Sequence, residues 1–183
     1  MSKKKTILKG EEVRKIIEEM ATKIAQSHES SEDLVIVGIQ KGGVELAHRI
    51  LNILKEAASF EPQMGTLDIN LYRDDWTRIG TKPVVRTTNL PFSIDDKNII
   101  LVDDVLFTGR TVRAALDALT DFGRPKRIEL AVLVDRGHRE LPICAQYVGL
   151  SINTKLDEHV DVYWKNDVGE DRIEVKLNDN EDK

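Results

Sequence analysis

Ile99-Ile-Leu-Val-Asp-Asp-Val-Leu-Phe-Thr-Gly-Arg-Thr111 runs four apolar residues into two adjacent aspartates, then three more apolar residues and a hydroxyl-rich glycine turn. A short, unbroken apolar run suits a strand buried on both faces of a parallel sheet. Ligands of such sheets gather at the carboxyl ends of the strands, which is where Asp103 and Asp104 stand. Neighbouring strand residues point to opposite faces. The chain is expected to leave the sheet here, so that at least one carboxylate faces the crevice. The next helix is expected to start near Thr111, with free backbone N–H groups and the positive end of its dipole at that point. Thr108-Gly-Arg-Thr111 wraps that end with two hydroxyls, a guanidinium and a glycine, which makes a phosphate cradle. The GxxxxGK[ST] spacing of a Walker A loop is absent.

Carboxylates beside a phosphate repel it unless something lies between them. A sugar resolves the conflict, because carboxylates accept hydrogen bonds from vicinal hydroxyls while the phosphate sits one sugar-length away. The stretch therefore reads as a ribose-phosphate site, against the plainer alternative of an acidic strand end followed by an ordinary helix start.

Outward from it, Leu34-Val-Ile-Val-Gly-Ile39 is a second buried run, broken by Gln40-Lys-Gly-Gly43. Val44, Leu46, Ala47, Ile50, Leu51 and Leu54 supply a helix after it. Val13, Ile16, Ile17, Met20 and Ile24 predict an amphipathic helix over about residues 10–27. The spacing of Val112, Ala115, Leu116 and Leu119 predicts a helix over Thr111–Phe122, with Gly123 as C-cap and Pro125 beyond. Ile128–Val134 reads as the next strand. Leu67, Ile69 and Leu71 alternate with polar residues, as in a strand with one wet face. Residues 73–97, with Gly80, Pro83 and Pro91, read as a long functional loop carrying a short hairpin arm at Val84-Val85. His159–Trp164 and Arg172–Leu177 are candidate strands around Gly169, and the tail 178–183 is expected to be disordered. Alternating helices and strands predict an α/β fold, a mostly parallel central sheet flanked by helices. Its expected extent is one domain over 1–177, with a small irregular hood over about 144–175.

The chain has 183 residues, 40% hydrophobic and 32% charged, an ordinary globular composition. No apolar run approaches the roughly 20 residues that span a bilayer, and no apolar segment follows the N-terminal lysines as a signal peptide would require. The single cysteine, Cys144, excludes an internal disulfide and fits a reducing cytoplasm. A net charge of −5 argues against wholesale wrapping of nucleic acid and leaves room for a local basic face. No metal-ligand spacing connects His28, His48 and His159.

The 13-residue stretch resembles the phosphoribosyl-pyrophosphate (PRPP) signature of type I phosphoribosyltransferases, and every position fits it. Asp68-Ile-Asn-Leu-Tyr-Arg-Asp-Asp75, Thr108–Gly123 and Leu130-Ala-Val-Leu-Val-Asp-Arg-Gly-His-Arg-Glu-Leu-Pro-Ile143 further resemble the bifunctional pyrimidine operon regulators and uracil phosphoribosyltransferases, the PyrR family. The likeness runs from about residue 7 to 175. It implies the type I phosphoribosyltransferase fold and conversion of uracil and PRPP to UMP and pyrophosphate with Mg²⁺ carried on PRPP, Asp103 or Asp104 being its candidate protein ligands. It also implies a homodimer or homotetramer and UMP-sensitive binding to the leader mRNA of a pyrimidine operon. By the same resemblance, Asp103 and Asp104 hold the ribose hydroxyls. Val105, Leu106 and Phe107 lead into Thr108, Gly109, Arg110 and Thr111, which cradle the 5′-phosphate. Gln40, Lys41, Gly42 and Gly43 form the pyrophosphate loop. Tyr72 and Arg73 open the mobile loop, where Trp76 also lies, and Arg73 joins the acid pair as a catalytic candidate. Asp135, Arg136, Tyr147 and Val148 surround the base, with Tyr147 stacked on it. His138 and Arg139 are RNA-binding candidates, with Arg124, Lys126, Arg127 and the N-terminal lysines as further cations.

The chain also departs from that family. Lys41-Gly42-Gly43 stands where the regulators read Thr-Arg-Gly and resembles the purine-enzyme loop. Cys144-Ala-Gln-Tyr-Val-Gly-Leu-Ser-Ile-Asn153 lacks an arginine and a lysine of the usual hood, which weakens both the RNA and the base assignments. Trp164-Lys-Asn-Asp-Val-Gly-Glu-Asp171 replaces the usual acidic stretch. Purine enzymes of the superfamily carry an aspartate where Phe107 stands, and a phenyl ring can neither take the imidazole proton nor accept a hydrogen bond. The alternatives to a uracil enzyme are a nucleotide-sensing RNA-binding regulator with little catalysis and a phosphoribosyltransferase for a purine base.

Overall fold

The computed structural model describes residues 4–58, 60–72 and 87–177. In chain order it has strand Lys4–Lys9 (β1), helix Glu11–Ser27 (α1), strand Leu34–Ile39 (β2), helix Gly42–Ala58 (α2), strand Gln63–Leu67 (β3) and a 3-10 turn at Asn70–Tyr72. Strand Asn98–Leu106 (β4), helix Arg110–Thr120 (α3) and strands Arg127–Asp135 (β5) and Tyr147–Ser151 (β6) follow. Strand Glu158–Tyr163 (β7), a short helix at Lys165–Val168 (α4) and strand Arg172–Leu177 (β8) complete the fold. Five parallel strands form the central sheet in the order β3-β2-β4-β5-β6. A separate antiparallel sheet has the order β1-β8-β7.

The continuous apolar runs arise because both faces of the central sheet are covered. Leu34, Ile36, Ile100 and Val102 pack with Ile17, Met20 and Ile24 of α1 and Leu46, Ile50 and Leu54 of α2. Val35, Val37, Ile39, Ile99 and Leu101 face the other way and pack with Val112, Ala115 and Leu119 of α3. Each fully buried Val, Leu or Ile contributes about 1.5–3 kcal/mol relative to exposure. A one-residue slip of β4 would exchange both sets. The register of β4 is therefore fixed, and so is the side of the sheet on which each aspartate emerges.

Three expectations need correction. The C-terminal hood is a regular antiparallel sheet, completed by β1, which pairs with β8. The alternation at Leu67, Ile69 and Leu71 is not a strand: β3 ends at Leu67, and the Asp68 carboxylate accepts the Asn70 N–H at 2.9 Å, turning the chain. Within the expected loop, residues 87–97 pack onto the fold: Asn89 exchanges two backbone hydrogen bonds with Thr66, at 2.8 and 2.9 Å, and Ile94 is buried. Arg73, Trp76, Gly80, Pro83, the Val84-Val85 arm and the tail lie outside the described residues.

Candidate functional site

From β2 the sheet is extended in one direction by β3, and from β4 in the other by β5 and β6. The strand order therefore reverses between β2 and β4, and such a switch point opens a crevice at the carboxyl ends of the two strands. Gln40–Gly43 leaves the end of β2 and Asp103–Asp104 lies near the end of β4, so both segments singled out in the sequence meet there.

The alternation of β4 carries on into the acid pair. Ile100 and Val102 face α1 and α2, and Asp104 follows them; Ile99 and Leu101 face α3, and Asp103 follows those. A Cβ added to Gly42 would lie 1.9 Å from Asp104 Oδ2, so Asp104 packs directly against the start of α2. Asp103 instead lines a cavity of about 290 Å³ with Val105, Leu106, Phe107, Thr108, Gly109, Arg110, Thr111, Val112 and Glu140. The sheet thus places one carboxylate toward each of two helix N-termini. Burial pushes the Asp104 carboxyl above its ordinary value, and the Asp161 charge on β7 adds to the rise. A side-chain hydrogen bond with Asp103 and the backbone N–H groups of Val105 and Asp104 oppose it, and Asp103 Oδ1 also accepts the Asp104 N–H at 3.0 Å.

At the head of α3, Gly109 adopts φ 92°, a left-handed conformation that favours glycine. Gly109 has no side chain to cap this helix; the Arg110 N–H donates to the Thr108 hydroxyl at 3.4 Å, and the start of the helix lines the cavity. Arg110 is engaged by Glu140 at 2.7 Å, and the backbone N–H groups of Glu140 and Leu141 donate to Thr108 O. Sequence reasoning missed Glu140, although it directly follows the Arg-Gly-His-Arg motif. On the other side, Gln40, Lys41 and Gly42 line a second cavity of about 390 Å³ with Val44, Glu45, Trp164 and Asp167.

Not all predicted residues converge. Tyr147 is a correction: it pairs with Ala131, four residues before the end of β5, or about 13 Å from the crevice at strand rise. It is buried, and its hydroxyl donates to Glu129 Oε2 at 3.1 Å, so it cannot stack on a base in the crevice. Val148 pairs with Val132 within the sheet and packs on the α3 side. Tyr72 is also displaced. Its hydroxyl donates to Asp121, past the far end of α3, about 16 Å from the cradle at helical rise.

Asp135 and Arg136 do reach the end of the crevice, but their side chains are engaged. The Asp135 carboxylate accepts from Arg139 and from Gly137 N. The Arg136 guanidinium lies 3.9 Å over the Phe107 ring and donates to Thr154 Oγ1 and Lys155 O. These residues shape the wall behind Phe107. Arg139 is a further correction: besides Asp135 it donates to Phe107 O at 2.6 Å, Gly137 O at 3.0 Å and Ile143 O at 3.2 Å. A guanidinium tied to that many carbonyls is a loop clamp and is not available to RNA phosphates. His138, at φ 59°, has its Nε2 on Thr154 O, and its ring stands edge-to-face with that of Phe107, the centroids 6.0 Å apart. Arg139→Met is expected to cost about 2 kcal/mol, read as a lower urea midpoint. An unchanged midpoint would mean the clamp carries no weight.

The chain matches the phosphoribosyl transferase domain model over residues 3–167. It is 50% identical over 172 residues to the bifunctional protein PyrR of Syntrophobacter fumaroxidans, covering 94% of this chain and 92% of that one. It is 51% identical to the PyrR of Thermus aquaticus, covering 94% and 95%. Among solved structures, a hypoxanthine-guanine phosphoribosyltransferase from Bacillus anthracis superposes with a TM-score of 0.66 at 22% identity over 83% of this chain and 85% of that one. That likeness speaks for the fold. The relatives account for what the crevice already suggests, a helix-capped phosphate cradle beside an acid pair at the switch point: the chain belongs to the PyrR family of type I phosphoribosyltransferases.

Proposed function

We propose that the chain transfers the phosphoribosyl group of PRPP to uracil, giving UMP and pyrophosphate. The observation that carries this reading is the division of the acid pair, with Asp103 toward the α3 cradle and Asp104 toward the α2 loop. A ribose lying across β4 meets both carboxylates, with its 5′-phosphate at Thr108–Thr111 and its 1′-diphosphate at Gln40–Gly43. The C1′–oxygen bond to the diphosphate breaks as uracil N1 bonds to C1′, and the N1 proton leaves to solvent. The protein contributes orientation and fixed electrostatics. For uracil speak the relatives that share the PyrR name and Phe107, an apolar ring in the cavity wall where a purine would need a proton acceptor.

The residues present fit magnesium. This ion keeps most of its ligands as waters and substrate phosphates and takes one or two carboxylates from the protein. Asp103 and Asp104 supply those, while the described residues hold no group of three or more side chains arranged as a metal cage. Bound with PRPP, magnesium neutralises charge on the departing diphosphate. Cys144 is exposed and free, in keeping with a reducing cytoplasm. No described helix is long and apolar enough to cross a membrane.

The relatives' word "bifunctional" favours a second role in the same reading, binding of a pyrimidine-operon leader mRNA by a homodimer or homotetramer. With Arg139 spent inside the fold, exposed Arg124 and Lys126 offer cations for it near β5, beside Arg127, which pairs with Glu129 at 2.6 Å. Filter binding to such a leader is expected to weaken with salt and to tighten with UMP; salt-independent retention would remove this role. The enzymatic reading is tested by incubating protein, PRPP and Mg²⁺ with uracil, hypoxanthine, guanine or xanthine. UMP alone is expected. A purine nucleotide would overturn the Phe107 argument, and no product with UMP still bound would leave a nucleotide-sensing regulator.

A further inference from the structure

The cavity at the head of α3 holds an acid that a phosphate cradle does not need. Two carboxylates line it, Asp103 from β4 and Glu140 from the segment after β5. The ribose accounts for Asp103 and leaves Glu140 without a role. Glu140 Oε2 accepts from both Nε and Nη2 of Arg110, each at 2.7 Å. Among the described residues lining the cavity, Arg110 is the one cation. Glu140 therefore offsets the charge that a bound phosphate would otherwise use. Stability does not explain the pair: its side chains are 48% and 52% exposed, and ion pairs this exposed contribute little.

The acid is also fixed in position. The backbone N–H groups of Glu140 and Leu141 donate to Thr108 O at 3.0 and 3.2 Å, which ties this segment to the first residue of the cradle. Leu141 and Ile143 pack over Gly109, where an added Cβ would meet them at 3.5 and 3.3 Å. A ligand cannot push the segment aside without disturbing the cradle itself. The start of α3 attracts negative charge, and the Glu140 carboxylate limits how much. With the ribose on the Asp103 side, a further phosphate on the 5′ chain leaves the cradle on the Arg110–Glu140 side. We propose that Glu140 is a specificity-determining residue that restricts the cradle to phosphate monoesters and turns away nucleoside di- and triphosphates. This rests on the phosphoribosyltransferase reading above and adds to it a charge filter. PRPP and UMP each present a 5′-monophosphate and pass. Every further phosphate brings negative charge toward a fixed acid, and the repulsion grows as the separation shrinks.

The test is calorimetric titration of UMP, UDP and UTP into the wild type, Glu140→Gln and Glu140→Asp. Magnesium-free buffer leaves the charge of the added phosphates uncompensated. The wild type is expected to bind UMP more tightly than UDP, and UDP more tightly than UTP. Glutamine keeps the size of the side chain and removes its charge. Glu140→Gln is expected to reduce the preference for UMP over UDP about 3- to 10-fold, and the preference over UTP further. Aspartate retains the charge, so Glu140→Asp is expected to keep a preference close to that of the wild type. The same UMP-to-UDP ratio in Glu140→Gln and wild type would overturn the proposal and leave the enzyme reading standing. Equal weakening of all three nucleotides in Glu140→Gln would reduce the pair with Arg110 to a structural contact and would also overturn it. A wild type that binds UDP as tightly as UMP has no filter, which again overturns it. Binding of none of the three by the wild type would overturn the enzyme reading itself, and the filter with it.

Discussion

Gly43→Ala destabilises the protein by about 3 kcal/mol and lowers its Tm by roughly 6–12 °C for a chain of this size. The added Cβ would stand 2.2 Å from Val102 O and 3.0 Å from Asp103 Cα. Both atoms belong to the backbone of β4, which is hydrogen-bonded on both sides, to β2 and β5, and cannot retreat. The neighbouring Gly42→Ala is a different case. Its Cβ meets Asp104 Oδ2 at 1.9 Å and Cγ at 2.3 Å, atoms of a side chain that can rotate. The fold is expected to survive that change while Asp104 is driven out of the crevice, so turnover falls more than stability. Paired thermal melts and turnover assays separate the two variants. Equal stability of Gly43→Ala and wild type would mean that α2 does not approach the acid pair so closely.

Asp104→Asn lowers kcat/KM roughly 10- to 100-fold, the worth of hydrogen bonds to one charged acceptor, and at neutral pH raises stability. Burial holds the Asp104 carboxyl above its ordinary value, so the folded state prefers the protonated form. The stability tied to that preference is fully present below the unfolded pKa, near 3.8, and is lost as pH rises through the elevated folded value. Asparagine is neutral throughout. The variant should therefore match the wild type in strong acid and exceed it at neutral pH. Urea unfolding across pH reads the difference. A variant less stable than wild type at neutral pH would show that the carboxylate is compensated in the fold rather than held under strain for a ligand.

Much of the fold was legible because the central strands are buried on both faces and the helices carry apolar stripes. β2, α2, β4, α3 and β5 follow from runs such as Leu34–Ile39 and from the spacing of Val112, Ala115 and Leu119. β1 was not legible, because Lys4–Lys9 is charged and largely exposed and is a strand only through its pairing with β8. The division of the acid pair was half legible. Opposite facing follows from strand geometry, but only the length of β4, which runs on to Leu106, shows that the sheet persists through both aspartates. Tyr147 was misplaced because its level in the sheet depends on its pairing with Ala131, a long-range register absent from the local sequence. Arg139 looked like a surface cation because charge alone does not reveal that loop carbonyls surround it. Glu140 stood out only by following the Arg-Gly-His-Arg motif, since its pairing with Arg110 exists only in three dimensions.

The most direct measurement is a crystal structure with UMP bound. Its 5′-phosphate should accept from the first N–H groups of α3 and from the Thr108 and Thr111 hydroxyls, its ribose hydroxyls should reach Asp103 and Asp104, and its base should lie beside Phe107. UMP bound elsewhere, or with its phosphate at Gln40–Gly43 and its ribose away from the acid pair, would contradict the assignment of β4 as the floor of a phosphoribosyl site.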